Sequence, residues 1–185
     1  MDKVWLRALE PDDYKYTHKW RTDDATWSAV AGTKRFVSLD TERRWLIDAI
    51  ENHEKGVVLR LVVCLGDTDE PVGLISATSI DHINKSCELG SMLSLECRGK
   101  GVIQRAWIQV YDYLFNELGM NRVECFIISD NQASRRSHEK FGNVQEGVLR
   151  KAIYKNGEFK DFVCYSLLRD EFFDIHSEGM RKLSS

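Results

Sequence analysis

The chain has 185 residues, 43% of them hydrophobic and 30% charged, which suits one globular domain that hides roughly two thirds of its unfolded surface. A net charge of −3 argues against a general binder of nucleic acid or acidic membrane, because those partners are recruited by a clustered excess of Lys and Arg. No apolar run forms a leader or reaches the ~20 residues of a membrane span, so a cytoplasmic protein is expected, with one domain over residues 1–175 and a tail over 176–185.

In chain order, Val4–Glu10 alternates as a short strand, and Pro11-Asp12-Asp13 supplies the proline and acidic first turn of a helix to about Trp20. A second helix is predicted from Leu39 to about Asn52, capped by Asp40 or Thr41, with Trp45, Leu46, Ala49 and Ile50 on one face. The segment between them, with Trp27, Gly32 and Phe36, follows no clear period. Val57–Leu65, Val72–Ile80 and Cys87–Leu93 are β-rich and joined by connectors too short for helical crossovers, so they read as an antiparallel meander.

After Gly99 the apolar period lengthens to three or four residues from Val102 to Leu118, which predicts a long helix ending at Gly119. Arg122–Ser129 then reads as a buried strand and Asn131–Phe141 as a short helix. Asn143–Tyr154 and Phe159–Leu168 are strands turning at residues 155–158. The order predicts an α+β fold, a mixed and mostly antiparallel central sheet with helices on both faces. Cys64, Cys87, Cys97, Cys125 and Cys164 form no CxxC pair and meet no histidine in zinc register, so buried thiols and no metal are expected.

The segment Glu96-Cys97-Arg98-Gly99-Lys100-Gly101-Val102 lies between the meander and the long helix. Its backbone amides open at a helix N-terminus, where glycine permits close approach and the helix dipole favours a phosphate. It lacks the Gly-Lys-Ser/Thr ending of a Walker loop, and Gln104 stands where a dinucleotide fingerprint has its third glycine.

With this loop, the opening LRALEPDD, the strand CELGSML, the helix DNQASRRSHEKFG and the ending EGVLRKAIYKNGEFKDFVCYSLLRDEF, the chain resembles the GNAT acetyltransferase superfamily. Within it, the RimJ/RimL and spermidine acetyltransferase branch is the nearest in pattern. The resemblance covers nearly the whole chain and implies a splayed sheet with acetyl-CoA between the fourth and fifth strands. It maps the pyrophosphate motif onto Arg98, Gly99, Lys100, Gly101, Val102 and Ile103, where Ile103 replaces a small residue. It also implies backbone hydrogen bonds to pantetheine from Ser91, Met92 and Leu93, and a place for Asn131 in the same cleft.

Acetyl transfer to an amine needs a neutral amine, a donor to the developing oxyanion and a proton for the departing thiolate. Glu88 shares its strand face with Gly90 and Met92 and is the candidate base, directly or through water; a solvent-facing carboxylate is the competing reading. Ser134 and His138, four apart on one helix face, are the candidate proton donors, with His138 slightly preferred. An exposed helix histidine and a first-turn hydroxyl are the plain alternatives. Arg135, Arg136 and Lys140 offer charge for phosphates, Arg136 being the one assigned to the cofactor.

The acceptor expected from the resemblance is the N-terminal α-amine of a protein or peptide. The alternatives are a polyamine or other small amine, and a non-catalytic acyl-CoA sensor. A polyamine would call for an acidic acceptor groove, for which Glu10, Asp12, Asp13, Asp23 and Asp24 are the early candidates. The aromatic-rich N-terminal helices offer a surface for a homodimer.

Overall fold

The structure, a computed structural model, describes residues 2–31 and 35–181, with side chains as far as Ser177. Its seven strands are β1 (Val4–Ala8), β2 (Leu59–Leu65), β3 (Pro71–Asp81), β4 (Ser86–Leu93), β5 (Arg122–Ile128), β6 (Val144–Lys155) and β7 (Glu158–Leu168). The six helices are α1 (Tyr14–Thr22), α2 (Asp24–Ala29), α3 (Leu39–Glu54), α4 (Val102–Asp112), α5 (Gln132–Phe141) and α6 (Arg169–Arg181). The sheet order is β1-β2-β3-β4-β5-β7-β6, and β4–β5 is its parallel junction; the other neighbours are antiparallel.

The meander β2–β3–β4 and the β6–β7 hairpin form as predicted. At the hairpin tip Asn156 and Gly157 both take positive φ, 53° and 84°, the conformation a tight Asn-Gly turn requires. Strand β2 starts at Leu59, later than Val57, because the amides of Val57 and Val58 fold back onto Asn52 O and extend the end of α3. Ser38 caps α3 by accepting from the Thr41 amide at 3.1 Å, which corrects the choice of Asp40 or Thr41.

The long helix is regular to Asp112 and continues as a π-helical turn, Tyr113–Glu117, before Gly119. Helices α2 and α6 were not anticipated. Gly32 of the unpatterned segment lies outside the described residues.

Helices cover both faces because the strands bury alternate residues on each. On one face, Ile75, Leu89, Leu93 and Val123 pack with Trp107, Tyr111 and Phe115 of the α4 region and Phe172 of α6. On the other, Val62, Cys64 and Leu74 meet Trp20 of α1 and Leu46 and Ala49 of α3. The five thiols are free; Cys64, Cys87, Cys97 and Cys125 are buried and Cys164 is half-buried. Burial pushes the Cys87 and Cys125 thiols up to about 12, so they are inert. Among the described residues no side chains cluster as metal ligands, and no helix is long and apolar enough to cross a membrane.

Candidate active site

The site begins where the sheet splits. Strands β4 and β5 pair only through Ser86, Cys87 and Glu88 with Arg122, Val123 and Glu124, and then diverge. The Ser94 amide bonds Val72 O at 2.8 Å. By antiparallel alternation, the amides of Gly90 and Met92 therefore turn to β3, and those of Leu89, Ser91 and Leu93 turn to the split.

A cleft of about 980 Å³ opens there, lined by Glu88, Ser91, Gly101, Ile103, Asn131 and Ser134 among others. Ser91 and Leu93 thus present backbone to the cleft. Met92 does not: its backbone belongs to β3, while its side chain lines the cleft wall and packs on the α1–α3 core.

At one end of the split, Gly99 and Gly101 hold φ of 72° and 70°. A side chain at either would strain the backbone, although a Cβ at either position meets nothing within 4 Å. Gly101 is the N-cap of α4 and has no capping side chain. Arg105 N–H closes the first helical turn on Gly101 O at 3.3 Å, while the amides of Val102, Ile103 and Gln104 meet no acceptor among the described residues. Open amides at a helix N-terminus are a ready anion site.

Arg98 points inward rather than at an anion. Its Nε donates to Leu93 O at 3.1 Å and its guanidinium donates to Thr26 Oγ1 at 3.3 Å, so it ties the loop to β4 and to α2. Lys100 is exposed, and Ile103 both lines the cleft and packs against the α4-side core. Arg136 and Lys140 line the cleft, whereas Arg135 turns away to Tyr165 Oη at 3.2 Å.

Asn131 caps α5, its Oδ1 accepting from the Ser134 amide at 3.1 Å, and its Nδ2 donates to Ala29 O at 2.8 Å. One amide thus serves both walls. Ser134 is half-buried on the cleft side.

His138 is buried, 5% exposed, which corrects the plain reading of an exposed helix histidine. Its ring lies 4.3 Å from Trp107, whose Nε1 donates to Ser91 Oγ at 3.1 Å. Asn143 Nδ2 donates to Tyr111 Oη at 3.2 Å, which leaves Asn143 Oδ1 to accept from His138 Nδ1–H at 3.3 Å. Burial pushes the imidazole down to about 4, so it is neutral near pH 7 and carries no imidazolium proton to give. The ring stands between α4 and α5 and lines the cleft.

Glu88 lies on the opposite sheet face from Trp107, half-buried, beside Glu124 across the parallel junction. Arg122 is committed to Glu124 at 2.7 Å and to Glu146 at 2.7 Å. The Glu88 carboxylate makes no hydrogen bond or ion pair among the described residues, and burial followed by the Glu124 charge raises its pKa. A raised carboxyl in a cleft suits a general base.

The acidic candidates near the N-terminus serve the fold instead. Asp13 pairs with Arg7 at 2.8 Å, Asp12 with Lys15 at 3.3 Å, and Asp23 caps α2 through the Thr26 amide at 2.6 Å. Neither these nor Glu10 and Asp24 line the cleft. Trp27, Trp107 and Phe126, which do, were missed as site residues. Their only sequence signal was apolarity.

Comparison with known proteins agrees with this geometry. The acetyltransferase (GNAT) domain family model matches residues 3–144. The Bacillus subtilis protein named "Putative ribosomal N-acetyltransferase YdaF" is 38% identical over 100 residues, 54% of this chain and 55% of that protein. The structure of spermidine N-acetyltransferase from Vibrio cholerae with CoA and spermine superposes with a TM-score of 0.82 at 23% identity, covering 92% of this chain and 98% of that one. Ribosomal-protein-S5-alanine acetyltransferase from Vibrio fischeri superposes with a TM-score of 0.81 at 21% identity, covering 93% and 98%. The latter two establish a shared fold, and the family match extends it to chemistry: this chain belongs to the GNAT acetyltransferase family and is an N-acetyltransferase.

Proposed function

We propose that the chain moves the acetyl group of acetyl-CoA to the α-amine at the N-terminus of a protein or peptide. The observation that carries the choice of acceptor is that Glu88 is the one carboxylate among the described residues lining the cleft, against the cations Arg98, Arg136 and Lys140. A polyamine with several ammonium groups needs several carboxylates to replace its water; a single amine needs one. The relative named "Putative ribosomal N-acetyltransferase YdaF" fits this reading.

Acetyl-CoA fits the residues present. The open amides of Val102, Ile103 and Gln104 suit its diphosphate, with Arg136 and Lys140 adding charge, and the free edges of Ser91 and Leu93 suit the pantetheine amides as an added strand would. Leu93 contributes its N–H, since its carbonyl is taken by Arg98.

An α-amine, with a reference pKa of about 7.7–8.0 against about 10.4 for lysine, is partly neutral already near pH 7. The neutral amine adds to the thioester carbon, and Glu88, directly or through water, takes the proton that the nitrogen loses as the amide forms. The C–S bond then breaks, and the Ser134 hydroxyl hands its proton to the departing sulfur while taking one from cleft water, so coenzyme A leaves as the free thiol with His138 neutral behind it.

Free-thiol release should be read with acetyl-CoA and a panel of peptides bearing a free α-amine, the same peptides blocked at the N-terminus but containing lysine, and spermidine. Turnover confined to free α-amines is expected. Preference for spermidine overturns the acceptor reading, and acetyl-CoA binding with no turnover on any amine favours the sensor.

A further inference from the structure

Neither large apolar core includes a side chain of α2, although Trp27, Ala29, Val30 and Ala31 of this segment line the cleft. The Trp27 indole Nε1 is buried without a hydrogen-bond acceptor among the described residues. A six-residue helix also leaves its last carbonyls without internal partners. The α2 segment is therefore held by polar bonds from outside, and the one that comes from farthest is Lys155.

Lys155 stands at the tip of the β6–β7 hairpin, yet it is only 5% exposed. Its Nζ donates to Trp27 O at 2.6 Å and to Val30 O, and lies 5.8 Å from the Trp27 ring centroid. No carboxylate pairs with it among the described residues, and burial lowers its pKa. A cation kept out of water without a counter-ion costs stability unless its three donors are well used, and carbonyls at a helix C-terminus are the acceptors that use them best.

We propose that Lys155 is a positioning residue that fastens the α2 wall, and Trp27 with it, across the acceptor side of the cleft and so controls which amines enter. The carbonyls of Trp27 and Val30 sit at the end of α2 where the chain passes into the cleft wall, so a bond to both fixes that wall's height above the split. Asn131 and Arg98 also reach α2, but both are tied to the cofactor end; Lys155 acts on the wall alone.

The test uses the full chain. In Lys155→Met, hydrogen exchange of amides 24–31 should rise at least tenfold, with α3 and α4 unchanged and CoA affinity within twofold of wild type. This readout needs no acceptor, so it stands or falls apart from the α-amine reading on which the kinetic arm rests. With a free α-amine peptide, the acceptor KM should rise about tenfold at a kcat within twofold, about 1.4 kcal/mol by the same ratio. Wild-type exchange in 24–31, or exchange that rises equally along β6–β7 and α2, overturns the proposal. Should Lys155→Met fail to fold, the shorter and neutral Lys155→Gln carries the same two measurements with the same outcomes.

Discussion

The two ends of the cleft are built by different means. The end proposed for the cofactor is backbone: two left-handed glycines, three open amides at the start of α4 and the free edge of β4, all within residues 91–105. The acceptor end is a wall held by single side chains that reach across the sequence, Arg98 to Thr26 over 72 residues, Asn131 to Ala29 over 102 and Lys155 to Trp27 over 128. Anchoring the cofactor in backbone makes it insensitive to most substitutions, whereas one substitution can move the acceptor wall. The same cofactor chemistry can thus be kept while the acceptor changes.

The sharpest break of that comparison is Glu88→Gln, which removes the proposed base at the acceptor end without touching the loop. Turnover should fall about 10²- to 10⁴-fold with acetyl-CoA affinity unchanged. The acidic limb of the kcat/KM profile, set in wild type by a carboxyl raised by burial and by Glu124, should vanish with it. Parallel loss of CoA affinity would mean that Glu88 supports the cofactor end.

His138 tests the partition between the ends. Its folded pKa of about 4 lies below the unfolded value of about 6.5, so the unfolded chain binds more protons between them. Its stability contribution is complete above pH ~6.5 and is lost as pH falls toward 4, by at most about 3 kcal/mol. Urea unfolding at pH 7 and pH 4.5 should show a smaller acid loss for His138→Leu than for wild type. Equal losses would place the titrating group elsewhere, and a turnover that collapses in His138→Leu at full CoA affinity would restore the histidine to the chemistry.

What the sequence revealed follows the same division. The loop, its helix and the strand before it were legible because glycine, helix period and strand alternation are local, and local geometry is what residue types encode most directly. Glu88 was placed on its face by alternation alone. The burial of His138 was not legible, since it depends on Trp107 and Tyr111 of α4 and on Asn143 after α5 closing around it. Helix α2 escaped for a related reason: its turns rest on Asp23, Arg98, Asn131 and Lys155 rather than on an apolar stripe.

Gly101→Val probes the cofactor end. A Cβ there meets nothing within 4 Å among the described residues, so the cost is a β-branched residue at φ 70° and methyl groups in front of the amides proposed to receive the diphosphate. Calorimetric CoA affinity should fall at least tenfold, about 1.4 kcal/mol. An unchanged affinity in the folded variant would move the diphosphate away from this loop.

Asn131 belongs to both ends, so it offers the smallest and most discriminating change. Its Oδ1 serves the cap of α5 and its Nδ2 serves Ala29, and serine can replace the first function but is too short for the second. Serine and asparagine cap helices about equally well, whereas alanine costs about 0.5–2 kcal/mol. Asn131→Ser should therefore keep the midpoint of urea unfolding near wild type and CoA affinity within twofold, while the acceptor KM rises a few-fold. Asn131→Ala should lose the cap as well and lower the midpoint. Should the serine variant weaken CoA as much as it weakens the acceptor, the two ends share Asn131 as one rigid unit and the division between backbone and side-chain walls fails at the residue where they meet.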